Sequence, residues 1–217
     1  MENFKELVRI PCGQVQIDGS LEVPEHPIGI VLFAHGSGSS RFSPRNNYVA
    51  GELRDERIGT LLLDLLTPEE DEQYRTRFNI PLLTERLLAA VKWLQRQAGG
   101  NRALPVGLFG ASTGAAAALQ VAALPEAHVV AVVSRGGRPD LAGTAALEQV
   151  HAPTLLIVGG NDAAVIELNK TAYEALRCEK RVEVVAGATH LFEEPGALEE
   201  VAEIACEWFF LHFSMQR

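Results

Sequence analysis

Continuous apolar runs alternate along the chain with segments in which apolar residues recur every three or four positions. The continuous runs are typical of strands buried on both faces of a parallel sheet, and they predict strands at residues 28–34, 59–64, 106–109, 128–133 and 154–158. A last strand is predicted at residues 181–185. The periodic segments predict helices at residues 44–56, from 81 to a glycine stop at 99–100, and at 115–124, 145–150, 163–176 and 198–212. This alternation predicts an α/β fold, with a doubly wound, mostly parallel sheet flanked by helices.

Two regions fall outside this alternation. Residues 6–10 and 14–23 alternate apolar and polar side chains, which predicts short antiparallel strands at one edge of the sheet. Residues 67–78 are mainly polar and predict a loop that leaves the carboxyl end of the strand at 59–64. That loop either folds partly over a site at this edge or is a mobile surface loop.

The length of 217 residues fits a single α/β domain over residues 1–217, because no Pro/Ser-rich linker or charge block divides the chain. No apolar stretch approaches the roughly 20 residues that span a bilayer. The amino terminus is charged and lacks the apolar core of a secretory signal. We therefore expect a cytoplasmic protein that is not attached to a membrane.

The formal net charge of −9 argues against a nucleic-acid partner, because binding to phosphate backbones relies on a basic face. A small-molecule substrate is the expected partner. Cys12, Cys178 and Cys206 are odd in number and widely spaced, which predicts reduced, mostly buried thiols and neither a disulfide framework nor a zinc site. We expect no metal or organic cofactor, and a monomer or a homodimer that uses the exposed part of the carboxyl-terminal helix.

The pentapeptide Gly110-Ala111-Ser112-Thr113-Gly114 lies between a predicted strand and an alanine-rich predicted helix. A turn this tight forces its central residue into a strained conformation and needs small residues two positions before and after it, which the two glycines provide. Such a turn holds a serine hydroxyl at the carboxyl edge of the sheet, beside the first free amides of the helix. The pattern predicts that Ser112 is a nucleophile, and an ordinary tight strand-to-helix turn is the alternative.

An acid and a histidine follow the last two predicted strands, where partners of Ser112 would have to lie. Asp162 follows the strand at 154–158, and His190 follows the strand at 181–185. A serine hydroxyl needs a base to take its proton, and a carboxylate on the second ring nitrogen orients that base. We predict that Ser112, Asp162 and His190 form a catalytic triad. Asp162 could instead only cap the next helix, and Asp140 is the rival acid.

The segment His35-Gly36-Ser37-Gly38 follows the central predicted strand, so its backbone amides can reach the serine turn. Glycines let amide groups approach an oxyanion closely. We predict that the amides of Thr113 and Ser37 hold the oxyanion, with Gly36 a less favoured donor that lies against the substrate. A plain glycine-rich turn is the alternative.

Two arginines, Arg41 and Arg135, are expected in loops at the same rim. A guanidinium there can hold a carboxylate of the substrate. The alternative is that both are solvated rim charges.

Taken together, these residues resemble the α/β-hydrolase superfamily and, within it, the small dienelactone-hydrolase-like group. The resemblance covers nearly the whole chain and is carried by residues 35–41, 110–114, 160–162 and 187–190. The chain order Ser112, Asp162, His190 is the order found in α/β-hydrolases. The chain is also similar to hydrolase modules that occur fused to phosphoribosyltransferases.

The resemblance implies an α/β-hydrolase fold without a lid domain, because only about twenty residues separate the predicted strand at 128–133 from the one at 154–158. It implies a serine hydrolase that cleaves small carboxylic esters or related acyl compounds through an acyl-enzyme. Dienelactone hydrolase itself uses a cysteine nucleophile where this chain has Ser112, so dienelactone is not implied as the substrate. The alternatives are a binding or signalling protein on the same fold and an acyltransferase that uses an acceptor other than water.

Overall fold

The computed structural model describes residues 4–97 and 104–216. Within them, one sheet contains eight strands in the spatial order β1-β2-β4-β3-β5-β6-β7-β8. The strands are β1 (Phe4–Cys12), β2 (Val15–Val23), β3 (Gly29–Ala34), β4 (Ile58–Leu63), β5 (Val106–Ala111), β6 (Val129–Arg135), β7 (Thr154–Gly159) and β8 (Lys180–Val185). Every strand expected from the sequence is present, within a few residues of its predicted bounds.

The helices are α1 (Pro44–Asp55), α2 (Pro68–Asp71), α3 (Ile80–Gln97), α4 (Thr113–Ala122), α5 (Thr144–Gln149), α6 (Ala163–Ala175) and α7 (Ala197–Ser214). Short 3-10 turns occur at Thr76–Phe78, Pro125–Ala127 and Pro139–Ala142. The predicted glycine stop of α3 at residues 99–100 lies outside the described residues. No helix within residues 4–97 and 104–216 combines the length and apolar character that crossing a membrane requires.

The sheet is parallel except at its amino-terminal edge. Strand β2 pairs antiparallel with both β1 and β4, and β3 to β8 run parallel to one another. The carboxyl ends of the parallel strands therefore share one edge of the sheet, which is where ligands bind in open sheets of this kind.

Helices cover both faces of the sheet, and each face has its own apolar core. One core joins the sheet to α3, α4, α5 and α6, and the other joins it to α1 and α7. A Cβ atom at Gly107 would lie 2.6 Å from a ring carbon of Phe209, so α7 packs directly on the strands, as expected for its apolar face. Between β6 and β7, residues 136–153 contain only a 3-10 turn and α5, which confirms that no lid domain is inserted there. All three cysteines are free, and two of them are buried.

The prediction of a loop over residues 67–78 is wrong, because this segment folds into α2 and the Thr76–Phe78 turn. Thr67 caps α2 through a capping box: its Oγ1 accepts from the Glu70 N–H at 3.3 Å, and Glu70 Oε2 accepts from the Thr67 N–H at 2.9 Å. Glu70 Oε1 also accepts from the buried Arg86 Nη2 at 2.8 Å, which ties the segment to α3. These local bonds order a stretch that is too short to show helical periodicity.

Candidate active site

Ser112 follows β5 directly and is the N-cap residue of α4, with a strained positive φ of 49° and a ψ of −119°. A side chain on Gly114 would clash with backbone, since its Cβ atom would lie 2.6 Å from the carbonyl oxygen of His35. A Cβ atom on Gly110 would lie 2.7 Å from the backbone nitrogen of Ala115. The strained strand-to-helix turn predicted from the two glycines is therefore present.

Asp162 and His190 meet at the same edge of the sheet. His190 Nδ1 and Asp162 Oδ2 are 2.8 Å apart, and their side chains are 39% and 16% exposed. The other oxygen, Asp162 Oδ1, accepts from the Val165 N–H at 3.4 Å and caps α6. The sequence left open whether Asp162 only caps α6 or contacts the histidine. Its carboxylate does both, with one oxygen for each contact.

The rival acid, Asp140, is paired elsewhere. Its two carboxylate oxygens accept from Arg138 Nε at 2.8 Å and Arg138 Nη2 at 2.7 Å. This paired geometry satisfies the Asp140 carboxylate within its own loop. The acid that contacts His190 is therefore Asp162, which the sequence favoured over Asp140.

The last residue of β6 and the residue that follows it contact Ser112 and His190 respectively. The Ser112 N–H donates to the carbonyl oxygen of Arg135 at 3.3 Å. A Cβ atom at Gly136 would lie 3.2 Å from the His190 carbonyl oxygen and 3.6 Å from its Cε1. On the far side of the histidine, Phe192 is only 1% exposed and has φ 54°, so the His190 loop is anchored in the core. Arg135 and Gly136 therefore bring the serine turn and the histidine loop together.

The loop at residues 35–38, which we name the oxyanion loop for its predicted role, lies against the serine turn. A Cβ atom at Gly36 would lie 3.0 Å from Ser112 Cβ and 3.7 Å from Ser112 Oγ, so only glycine leaves this space open. The two predicted amide donors, Ser37 and Thr113, line the same small cavity beside Gly36. Thr113 is the first residue of α4, and its N–H has no acceptor within the helix.

His35 fixes the base of this loop. Its Nε2 accepts from the Leu65 N–H at 3.1 Å, and its Nδ1 lies 2.9 Å from the Gly36 carbonyl oxygen. A neutral ring with its proton on Nδ1 satisfies both contacts. Burial lowers the pKa of His35, which favours that neutral ring.

Arg77 is a site residue that the sequence analysis missed. Its Nε and Nη2 contact the Asp71 carboxylate at 3.0 Å each, while its Nη1 lies 3.4 Å from the position that a Cβ atom would take at Gly38. Arg77 thereby lines the cavity that contains Ser37 and Thr113. The capping-box pattern at 67–70 was the available signal that this segment is ordered.

Arg41 lies in a loop, as expected, but its charge is already balanced. Its Nη1 pairs closely with Asp64 Oδ2, its backbone N–H donates to Asp64 Oδ1 at 2.6 Å, and Asp18 Oδ2 lies 3.7 Å away. Binding of a substrate carboxylate by Arg41 stays a prediction.

The expectation that Arg135 lies in a rim loop is wrong. Strand β6 runs two residues further than predicted, so Arg135 is its last residue and only 7% of it is exposed. Its Nη2 donates to Asn46 Oδ1 at 3.3 Å, and its guanidinium lies 5.8 Å from the centre of the Phe192 ring. Burial, and to a lesser degree the charge of Arg45, lowers the pKa of Arg135 to about 10.

Comparison with known protein families gives a match to the alpha/beta hydrolase domain over residues 27–207. Two proteins from strains of Mycobacterium tuberculosis, named for a proposed phosphoribosyl transferase, are 56% identical over 207 residues, which is 95% of this chain. The match covers 46% of each, so the chain spans about half the length of the curated relatives it matches.

Solved structures with this fold include a dienelactone hydrolase from Anabaena variabilis. It is 51% identical, with a TM-score of 0.91 over 98% of this chain and 99% of that one. Est1E from Butyrivibrio proteoclasticus has a TM-score of 0.80 over 96% of this chain and 99% of its own, at 14% identity, and therefore shares the fold.

Proposed function

Because this chain belongs to the α/β-hydrolase family and to its dienelactone-hydrolase-like group, we propose that it is a serine hydrolase that cleaves small carboxylic esters or related acyl compounds. The observation that carries the proposal is the 2.8 Å contact between His190 Nδ1 and Asp162 Oδ2, next to the strained turn that presents Ser112. A serine, histidine and acid in this arrangement are the parts that acyl transfer through a covalent intermediate requires.

In the proposed reaction, the Asp162 carboxylate accepts a hydrogen bond from the His190 Nδ1–H and stays ionised, which keeps the proton on Nδ1 and leaves Nε2 free to act as a base. Ser112 Oγ attacks the acyl carbonyl carbon while its proton moves to Nε2. The carbon–oxygen bond to the alcohol then breaks, and the alcohol leaves with that proton. A water molecule activated by His190 hydrolyses the acyl-enzyme and releases the acid.

The oxyanion would be held by the amides of Thr113 and Ser37. Both residues line one cavity, and the Thr113 N–H lies at the amino terminus of α4, where the helix dipole also favours negative charge. The missing side chain of Gly36 keeps the space beside Ser112 Oγ open to the substrate.

Two other functions on the same fold give different results. A binding or signalling protein would not turn over esters, and an acyltransferase would pass the acyl group to an added alcohol or amine instead of water. The transferase in the name of the relatives belongs to proteins about twice as long, and the half that this chain matches has the hydrolase fold.

The test compares kcat/KM for short-chain esters among the unmodified protein, Asp162→Asn and Asp140→Asn. An asparagine at 162 still caps α6 but no longer holds the correct histidine tautomer, so we expect a fall on the order of 10⁴-fold. Asp140→Asn should stay within about threefold of the unmodified protein, because Asp140 contacts Arg138 and not His190. Full activity in Asp162→Asn, or an acyl product on an added alcohol instead of free acid, would contradict the proposal.

A further inference from the structure

A second cavity, which we call the polar groove, adjoins the oxyanion loop. It has a volume of about 330 Å³, and its walls come from β2, residues 35–41, the end of β4 and the start of α2. His35, Leu66 and Asp71 line both the polar groove and the small cavity that contains Ser37 and Thr113. The groove therefore lies beside the loop whose amide is proposed to hold the carbonyl oxygen of the substrate.

The hydrogen-bonding groups of the groove are mainly acceptors and hydroxyls. Asp18 is about half exposed on its wall, and Ser39 and Ser40 follow the oxyanion loop directly. Ser40 Oγ accepts from the Phe42 N–H at 3.2 Å, which leaves its own proton available to another acceptor. Carboxylates only accept, so a ligand that fits these walls brings several donors of its own.

The charge of the groove also limits which ligands it can bind. Asp18, Asp64 and Asp71 line it together with Arg41, whose guanidinium is held by Asp64. Arg77 pairs with Asp71. Arg9 and Arg41 lie 3.8 and 3.7 Å from the Asp18 carboxylate. These charges balance, so the described residues of the groove leave no free charge for an ionic group. Leu66 and Pro68 are the apolar residues of the lining, so a hydrocarbon would gain little and would strip water from the polar walls.

We propose that the polar groove binds the leaving alcohol of the substrate, and that this alcohol is an uncharged polyol, such as a glycerol or sugar unit. The inference rests on the proposed hydrolase function for its chemistry. The space beside Ser37 and Thr113 is too narrow for a hydroxylated chain, whereas the polar groove has room for one. When Ser112 attacks, the ester carbon–oxygen bond breaks, and the polyol leaves with the proton that His190 received.

The test uses glycerol 1-acetate and propyl acetate, which differ by two hydroxyl groups. We expect kcat/KM to be about tenfold higher for glycerol 1-acetate, since a pocket built for hydroxyls discriminates against an analogue that lacks them, less strongly when solvent can enter. Ser39→Ala and Asp18→Asn should each lower this ratio by about threefold or more. The matched control, Glu167→Gln, changes an exposed carboxylate on α6 and should leave the ratio as it is.

Equal kcat/KM values for the two esters would overturn the inference, as would a preference for acetylcholine, because that result would assign the groove to a cation. Saturation-transfer NMR can measure the binding of both esters to the Ser112→Ala variant. This measurement separates the inference from the proposed function. Selective binding of glycerol 1-acetate without turnover by the unmodified protein would support the groove and contradict the hydrolase. Turnover of both esters, with no selectivity in kcat/KM or in binding, would support the hydrolase and contradict the assignment of the groove.

Discussion

At the scale of single residues, glycines set the space around Ser112, because a side chain at these positions would overlap neighbouring atoms. Gly114 faces the backbone where β3 ends, and Gly36 faces the serine itself. Because backbone cannot move aside as the end of a flexible side chain can, a methyl group at 114 must push α4 away from β3. The position of the serine therefore depends on contacts that involve no functional group.

Gly114→Ala should lower the free energy of unfolding by about 3 kcal/mol, because the new methyl group overlaps backbone. The matched control is Gly51→Ala in the middle of α1, where a Cβ atom would meet nothing closer than Arg54 Nη2 at 3.9 Å. That change should raise stability by about 0.8 kcal/mol through helix propensity. Urea unfolding of the three proteins measures both effects, and equal stability of Gly114→Ala and the unmodified protein would contradict the packing argument.

Residues that the sequence placed correctly are those whose position follows from the end of a strand. Asp162 and His190 follow the ends of β7 and β8 within a few residues, so their meeting at one sheet edge could be expected. Arg135 could not be placed, because whether a strand ends two residues earlier or later decides if a side chain is buried or at the rim. Arg77 reaches the oxyanion loop because residues 67–78 fold into α2 and a 3-10 turn. No hydrophobic periodicity in the sequence predicts that fold.

At the scale of elements, α2 depends on a few contacts of Glu70. One carboxylate oxygen completes the capping box with Thr67, and the other pairs with Arg86, whose side chain is 7% exposed. Arg86 also donates to the carbonyl oxygen of Cys12 at 2.7 Å, so the same guanidinium connects α2, α3 and β1. The segment that carries Arg77 over the oxyanion loop is thus fixed to the body of the protein.

Glu70→Ala should lower the free energy of unfolding by about 2 kcal/mol, because it leaves the buried Arg86 charge without its carboxylate and opens the capping box. Glu72→Ala, two residues along on an exposed position, is the control and should change stability by less than about 0.5 kcal/mol. Chemical denaturation measures the difference. If both variants unfold at the same urea concentration, the Glu70 contacts do not hold α2.

At the scale of the whole molecule, the sequence predicted the layered sheet because nearly every parallel strand is an uninterrupted apolar run and every long helix has an apolar face. Those patterns fix which elements form and, through right-handed crossovers, which edge carries the chemistry. They do not fix the shape of a groove, because the polar groove is assembled from β2, two loops and α2, which are far apart in sequence. The alcohol part of the proposed substrate could therefore be inferred only from the structure.

Acid sensitivity is a second property of the molecule as a whole. Burial lowers the pKa of His35 and of His212 below the ordinary value of 6.5. Between the lowered and the ordinary values the unfolded chain binds more protons than the folded protein, so stability rises with pH in that window. The contribution of these two histidines to stability is fully present above the ordinary pKa of 6.5. It is lost as the pH falls from there through their lowered pKa values.

Urea unfolding at pH 7.5 and 5.5 should therefore give a lower free energy of unfolding at the acidic pH, with at most about 1.4 kcal/mol per pH unit from each histidine. His212→Phe removes one of the two buried rings and should flatten this dependence. His151→Gln changes an exposed histidine and should not. A dependence on pH that is unchanged in His212→Phe would show that this ring does not contribute.

The measurement that tests the central claim most directly is labelling with a fluorophosphonate, which reacts with an activated serine. The account predicts one covalent adduct, located by peptide mass on Ser112, and no adduct in Ser112→Ala with the same circular dichroism spectrum. A folded, unmodified protein that forms no adduct, or labelling that persists in Ser112→Ala, would contradict the claim that Ser112 is the nucleophile.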